Sequence, residues 1–330
     1  MQIDLRTVSI KPLRNTFDHL ARRFGDKPAS RYQEGSYDIQ ADANLQYRPT
    51  WEPEHELHDP GRTRIVMADW YAFKDPRQFY YGTYTLTRAR QQESAESNFD
   101  FVDSRCLLGQ LAEEDRQLAL DVLMPLRHAA WGANMNNTGI CADGYGTLIT
   151  QPCMFAAMDN LGVAQYLTRV GLALGDTDAL VAGREAWMND DAWQPLRRLV
   201  ENTLVTRDWF ELLVAQNFVS DGLLYPLVYE QFVDTKLNGR GGAGVSMMCA
   251  FMTEWHGEMR KWSDAVIKVA AKESDANRAL LSEWTRTWRD RCAEALAPVA
   301  DRAFGDEAAA ILDTVTQSFN DRAAKLGLDL

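Results

Sequence analysis

The stripe Met248, Met252, Trp255, Met259, Trp262, Val266 and Val269 constrains the fold most, because its spacing alternates four and three residues. That period places every member on one helical face, at the pitch of helices packed in a bundle. A second stripe, Ala156, Asn160, Val163, Leu167, Val170 and Leu174, keeps the same period with one polar member. Strand-like alternation is scarce. The chain has 330 residues, 46% of them hydrophobic, enough for a large core. An all-α fold is expected. The methionines of the first stripe fit core packing better than a cofactor box.

Local signals divide the chain. Asp75-Pro76 has the form of a helix start, with Asp as the cap and Pro in the first turn. This predicts a helix over 75–106. The acids at 113–115 suit a second first turn, of a helix running to about Asn137 with a kink near Pro125. Pro152 opens a helix to about Leu174. Helices over 176–188, 193–206, 208–220, 222–236, 245–272, 275–297 and 305–325 follow. Residues 1–60 differ: they hold five of the eleven prolines and no sustained helical period. Their aromatics, among them Phe17, Tyr32, Tyr37, Tyr47 and Trp51, favour an extended arm docked on a partner and disordered without it. Residues 61–330 form the helical domain.

Composition excludes several classes. A net charge of −12 with no Lys/Arg block argues against nucleic acid. No run of eighteen apolar residues suggests a membrane span, and Met1–Arg6 has no signal-peptide core. The five cysteines form no Cys-x-x-Cys, so buried thiols in a reducing cytoplasm are expected.

The long helices have the pattern of a ferritin-like bundle. In such carboxylate proteins two helices each give a Glu and two each give Glu-x-x-His, all facing inward. Here the second motif would be Glu254-Trp255-His256-Gly257, with glycine in place of the imidazole, and the first would be Asn160-Leu161-Gly162-Val163. Asn160, Val163, Glu254 and Gly257 thus read as degenerate metal positions. Glu230, reached from Leu223 and Leu227 at helical spacing, reads as a second inward carboxylate beside Glu254; Glu258 is one turn on. A buried acid there needs a cation, with Arg the natural choice. No catalytic, cofactor-binding or metal-binding residue is expected. The contrary reading is a stand-alone di-metal oxidase using Glu230, Glu254, Glu258 and His256. Gly239–Gly244 matches G-x-G-x-x-G, but a helical pattern precedes it where a dinucleotide site needs a strand. Glu52 and His55 have Glu-x-x-His spacing among prolines that favour an extended chain.

Three runs carry a family resemblance: DWYAFKDPRQFYYGTY at 69–84, LRHAAWGANMNN at 126–137 and WQPLRRL at 193–199. With them the chain resembles the β subunit of bacterial multicomponent diiron monooxygenases, most like phenol hydroxylase and next toluene monooxygenase. The resemblance implies a metal-free, non-catalytic ferritin-like subunit in an (αβγ)2 hydroxylase. In it the diiron centre lies in α. A regulatory protein and a reductase with FAD and a 2Fe–2S cluster complete the system, which hydroxylates aromatic rings with O2 and NAD(P)H electrons. Trp51, Trp70, Tyr71, Phe73, Phe79 and Tyr80 are the candidate interface residues.

Overall fold

The computed structural model describes residues 13–41, 48, 50 and 52–330, and no strand occurs among them. Two short helices, α1 (Asp18–Phe24) and α2 (Arg31–Glu34), precede the body. Then come α3 (Tyr81–Ser104), α4 (Glu113–Leu123), α5 (Leu126–Asp143), α6 (Thr147–Asn189) and α7 (Gln194–Leu204). A composite helix follows: α8 (Trp209–Leu213), a π segment (Val214–Ser220), α9 (Asp221–Tyr225) and a second π segment (Pro226–Leu237). Helices α10 (Ala243–Glu273), α11 (Asp275–Phe304) and α12 (Ala308–Lys325) complete the chain.

Helices α5, α6, the composite helix and α10 form a ferritin-like four-helix bundle. Both stripes face its interior: Met252, Trp255 and Trp262 are fully buried, as are Val163, Leu167 and Val170. Helix α3 covers the α6–α10 side, α11 backs the composite helix and α10, and α12 lies on α11.

Local chemistry explains most ends. The Asp208 carboxylate accepts hydrogen bonds from the Phe210 and Glu211 amides and starts the composite helix. Ser274 caps α11 through the Asn277 amide. The predicted start at Asp75 is corrected. The Asp75 carboxylate instead accepts from the Arg77 amide and guanidinium inside the core, and α3 begins at Tyr81. A kink does stand at Pro125, between α4 and α5. Pro152 does not open α6 but lies inside it, and Gly175 and Asp176 break its helical geometry. The expected break near residue 221 is absent, because π turns carry the composite helix through Pro226.

The extended-arm reading of residues 1–60 is corrected in its described part. Leu20, Tyr32 and Tyr37 lie in the chain's own core, and the Asp75 amide donates to the Tyr32 hydroxyl at 2.9 Å. Arg23 ties the segment to the body by bridging Asp38 and Asp69. Tyr47 and Trp51 fall outside the described residues. Among the described residues no helix is long and apolar enough to cross a membrane.

Candidate functional site

The middle of the bundle is where a di-metal centre would be built, and the sequence places Asn160 and Val163 there. Both are buried on α6, 1% exposed. The other half of that assignment is corrected. Glu254 and Gly257 are exposed on the outer side of α10, and Glu230 is exposed on the composite helix. The apolar stripe of α10 already takes the inward positions, and Glu254 precedes Trp255 by one residue, about 100° around the helix. His256 is buried instead, stacked on Tyr225 at 5.2 Å. Burial, and then Arg322 and Arg260, push its pKa down to about 3, so the ring stays neutral.

The acid buried between α6, α10 and α3 is Asp159. Four donors surround it. Tyr84 Oη donates to Oδ1 at 2.8 Å and Arg88 Nε donates to the same oxygen at 2.8 Å. Arg88 Nη2 donates to Oδ2 at 2.9 Å and Trp255 Nε1 at 2.8 Å. A carboxylate offers about four lone-pair sites, so none is left for a metal. Burial pushes the Tyr84 hydroxyl well above its ordinary pKa, which keeps it a donor. Arg88 also holds Glu258 at 2.7 Å, and Gln91 donates to the same carboxylate at 2.8 Å. Glu258 is thus part of the ion-pair knot and not a free ligand.

On the far side of the core, an amide ladder joins α5, α7 and the composite helix. Asn136 Nδ2 donates to Thr203 Oγ1 and to Gln216 Oε1, both at 2.7 Å. Gln216 Nε2 donates to Asp221 Oδ1 at 2.8 Å, and Asn217 Nδ2 donates to Asn137 Oδ1 at 3.0 Å. Asp221 is 3% exposed, and burial pushes its pKa up to about 7 against the opposing pull of Gln216 and Arg322. A cavity of about 40 Å³ lies beside it, lined by Asn160, Val163, Tyr225 and Tyr229 among others. Its walls offer one carboxylate and no histidine.

Among the described residues no group of three or more His, Cys, Asp and Glu side chains converges as a metal would need. The residues present do not fit a diiron centre: Glu230 and Glu254 face solvent, and Asp159 and Glu258 are consumed by Arg88. Sequence reasoning missed Asp159, Arg88 and Asp221. The signal for Asp159 was available, since it is the one charged residue between Asp143 and Arg169.

Other singled-out residues also find places. Gly241 has φ +91°, and a Cβ there would stand 2.6 Å from the Gln110 carbonyl. The glycine run is therefore a tight helix-to-helix turn, entered from a π segment. Glu52 pairs with Arg62, and His55 Nδ1 lies 2.9 Å from Asp59. Of the described interface candidates, Trp70, Phe73 and Phe79 are corrected: each is buried within this chain, and Tyr71 and Tyr80 keep part of their surface. The expectation of buried thiols fails at Cys106, which is exposed.

A family model described as methane/phenol/alkene hydroxylase matches residues 51–274. The chain belongs to that family. It is 49% identical to the oxygenase component DmpL of phenol 2-monooxygenase from Pseudomonas sp. (strain CF600), over 99% of this chain and 98% of that one. A crystal structure of xenon-pressurized phenol hydroxylase from Pseudomonas sp. OX1 contains a chain with a TM-score of 0.93 and 46% identity, covering 99% of each. The hydroxylase component subunit beta of the toluene-4-monooxygenase system from Ectopseudomonas mendocina is more distant, at 27% identity over 89% of each chain.

Proposed function

We propose that this chain is the non-catalytic β subunit of a phenol hydroxylase, a structural partner of a separate diiron subunit. The observation that carries the reading is the state of Asp159. The acid buried between α6, α10 and α3 is saturated by four protein donor atoms, and the neighbouring position is Asn160. A ferritin-like protein that uses its own metal needs several inward carboxylates with free lone pairs and two histidines. Here an arginine neutralises the one buried acid on α6, and a tryptophan and a tyrosine fill its remaining hydrogen-bond sites.

The identity to phenol 2-monooxygenase components supports the phenol branch over the toluene branch. In this reading the subunit works in an (αβγ)2 assembly. The α subunit hydroxylates the aromatic ring with O2, and a regulatory protein and a flavin/iron–sulfur reductase serve it. The stand-alone oxidase loses its ligands, since Glu230 and Glu254 point outward and Glu258 is paired.

The test is purification of the tagged chain from its native host, with iron measured in the complex and again in the separated chain. Iron that stays with a larger co-purifying subunit supports the proposal. Stoichiometric iron in the separated chain overturns it.

A further inference from the structure

Five large exposed apolar side chains of α5 and α6 gather on one face. Trp131 is 56% exposed, and Met135, Met154, Met158 and Leu161 are each 38% to 44% exposed. Trp131 and Met135 lie one turn apart on α5, and Met154, Met158 and Leu161 follow helical spacing on α6. Between the two stripes Asn134 Nδ2 donates to the Ala157 carbonyl at 2.7 Å, so they flank one seam. The face has no exposed formal charge: residues 129–142 contain none, and Asp159 is the sole charge in 144–168. In a chain with 25% charged residues, such depletion together with Trp and Met enrichment is the composition of an interface core.

The seam continues into a groove of about 420 Å³ containing Arg127, His128 and Arg184. Arg127 lies one turn before Trp131. Its Nε donates to the Met124 carbonyl at 3.1 Å and its Nη2 to the Leu180 carbonyl at 2.7 Å. No carboxylate pairs with it among the described residues. Arg184 meets Glu185 at 3.3 Å, but both are more than half exposed, so that pair is weak.

We propose that this α5–α6 face docks a helix of a different subunit, apolar along its contact stripe and carrying a carboxylate at the end that meets Arg127. The inference rests on the hydroxylase-subunit reading above and names the surface that reading needs. A second copy of this chain fits worse. The groove around Arg127 and Arg184 is lined by no acid of its own, so pairing it with the same groove of a second copy would cover Arg127 without a counter-charge.

The experiment uses the tagged chain, expressed in its native host in place of the wild-type gene, with the variants Trp131→Asp, Met158→Asp and Arg127→Glu. Val205→Asp serves as a control on another exposed apolar site. The expected result is at least a tenfold loss of the larger iron-bearing subunit from the eluate of each face variant, and none for the control. Circular dichroism of the purified variants confirms folding. Hydrogen exchange on the wild-type chain, in the complex and separated from it, gives a second readout: protection should appear over 127–142 and 147–168. Wild-type capture by all three variants, without that protection, overturns the docking face and leaves the subunit reading standing. No iron-bearing subunit with the wild-type chain overturns both. A homodimer abolished by Trp131→Asp would assign the face to a second copy and also overturn the proposal.

Discussion

Arg88 and Asp159 define the residue scale, because the acid is buried, the cation is largely covered and each depends on the other. Removing only the cation leaves a carboxylate in the core with two neutral donors. Arg88→Met is therefore expected to lower stability by about 3–5 kcal/mol in urea unfolding, the usual result of breaking a buried pair. A loss below about 1 kcal/mol would mean that Asp159 is solvated in solution. Asp221 makes a second prediction with a definite sign. Its folded pKa is raised to about 7, above an ordinary unfolded value near 4, so the folded state binds the extra proton. Stability from this group is full below pH 4 and falls as pH rises through 7. Asp221→Asn should flatten that decline and raise stability at pH 8 by about 1–4 kcal/mol. Chemical denaturation of both proteins from pH 5 to 8 checks it; parallel curves would exclude the buried proton. Which acids turn inward was poorly legible in the sequence, since helical spacing tells an inward face from an outward one only to within a residue. On α10 one residue, Glu254 against Trp255, decided the ligand assignment.

At the scale of elements, α6 and the α4–α5 corner fit by the absence of side chains. A Cβ on Gly183 would stand 2.4 Å from the Met124 Cβ, and one on Gly171 would stand 2.3 Å from its sulfur. The methionine sulfur can move, but the Met124 backbone next to Gly183 cannot move freely. Gly183→Ala should cost about 1–3 kcal/mol through overpacking. Gly257→Ala should do the opposite. It lies inside α10 with open space around the new methyl, so the gain in helix propensity is about 1 kcal/mol. Thermal unfolding of the two variants compares them directly; a destabilising Gly257→Ala would show that this side of α10 is covered. Helix existence was legible because the 3–4 spacing is long and regular. The joins were less so. Pro152 reads as a start, yet it sits inside α6, where the preceding turn is already seated by Leu148 and Ile149 in the core.

The whole molecule is held together partly by the segment that reads as a detached arm. Leu20, Tyr32 and Tyr37 join the main core, and Arg23 spans to Asp69. Deleting residues 1–41 should lower stability by several kcal/mol, from roughly 1.5–3 kcal/mol of transfer free energy for each large apolar side chain exposed. Differential scanning calorimetry of the truncated chain tests this. An unchanged midpoint would restore the independent-arm reading.

By itself the sequence determined the class of fold, through its helical periodicity, and carried the family resemblance, through the runs at 69–84, 126–137 and 193–199. The tertiary structure decided which acid enters the core, what neutralises it, where the N-terminal aromatics are buried and which aromatic remains outside. Those outcomes depend on the rotation of each helix about its axis and on contacts between residues as distant as Arg88 and Glu258. Trp70 and Trp131 are equally aromatic in the sequence, and only packing separates the buried side chain from the exposed one.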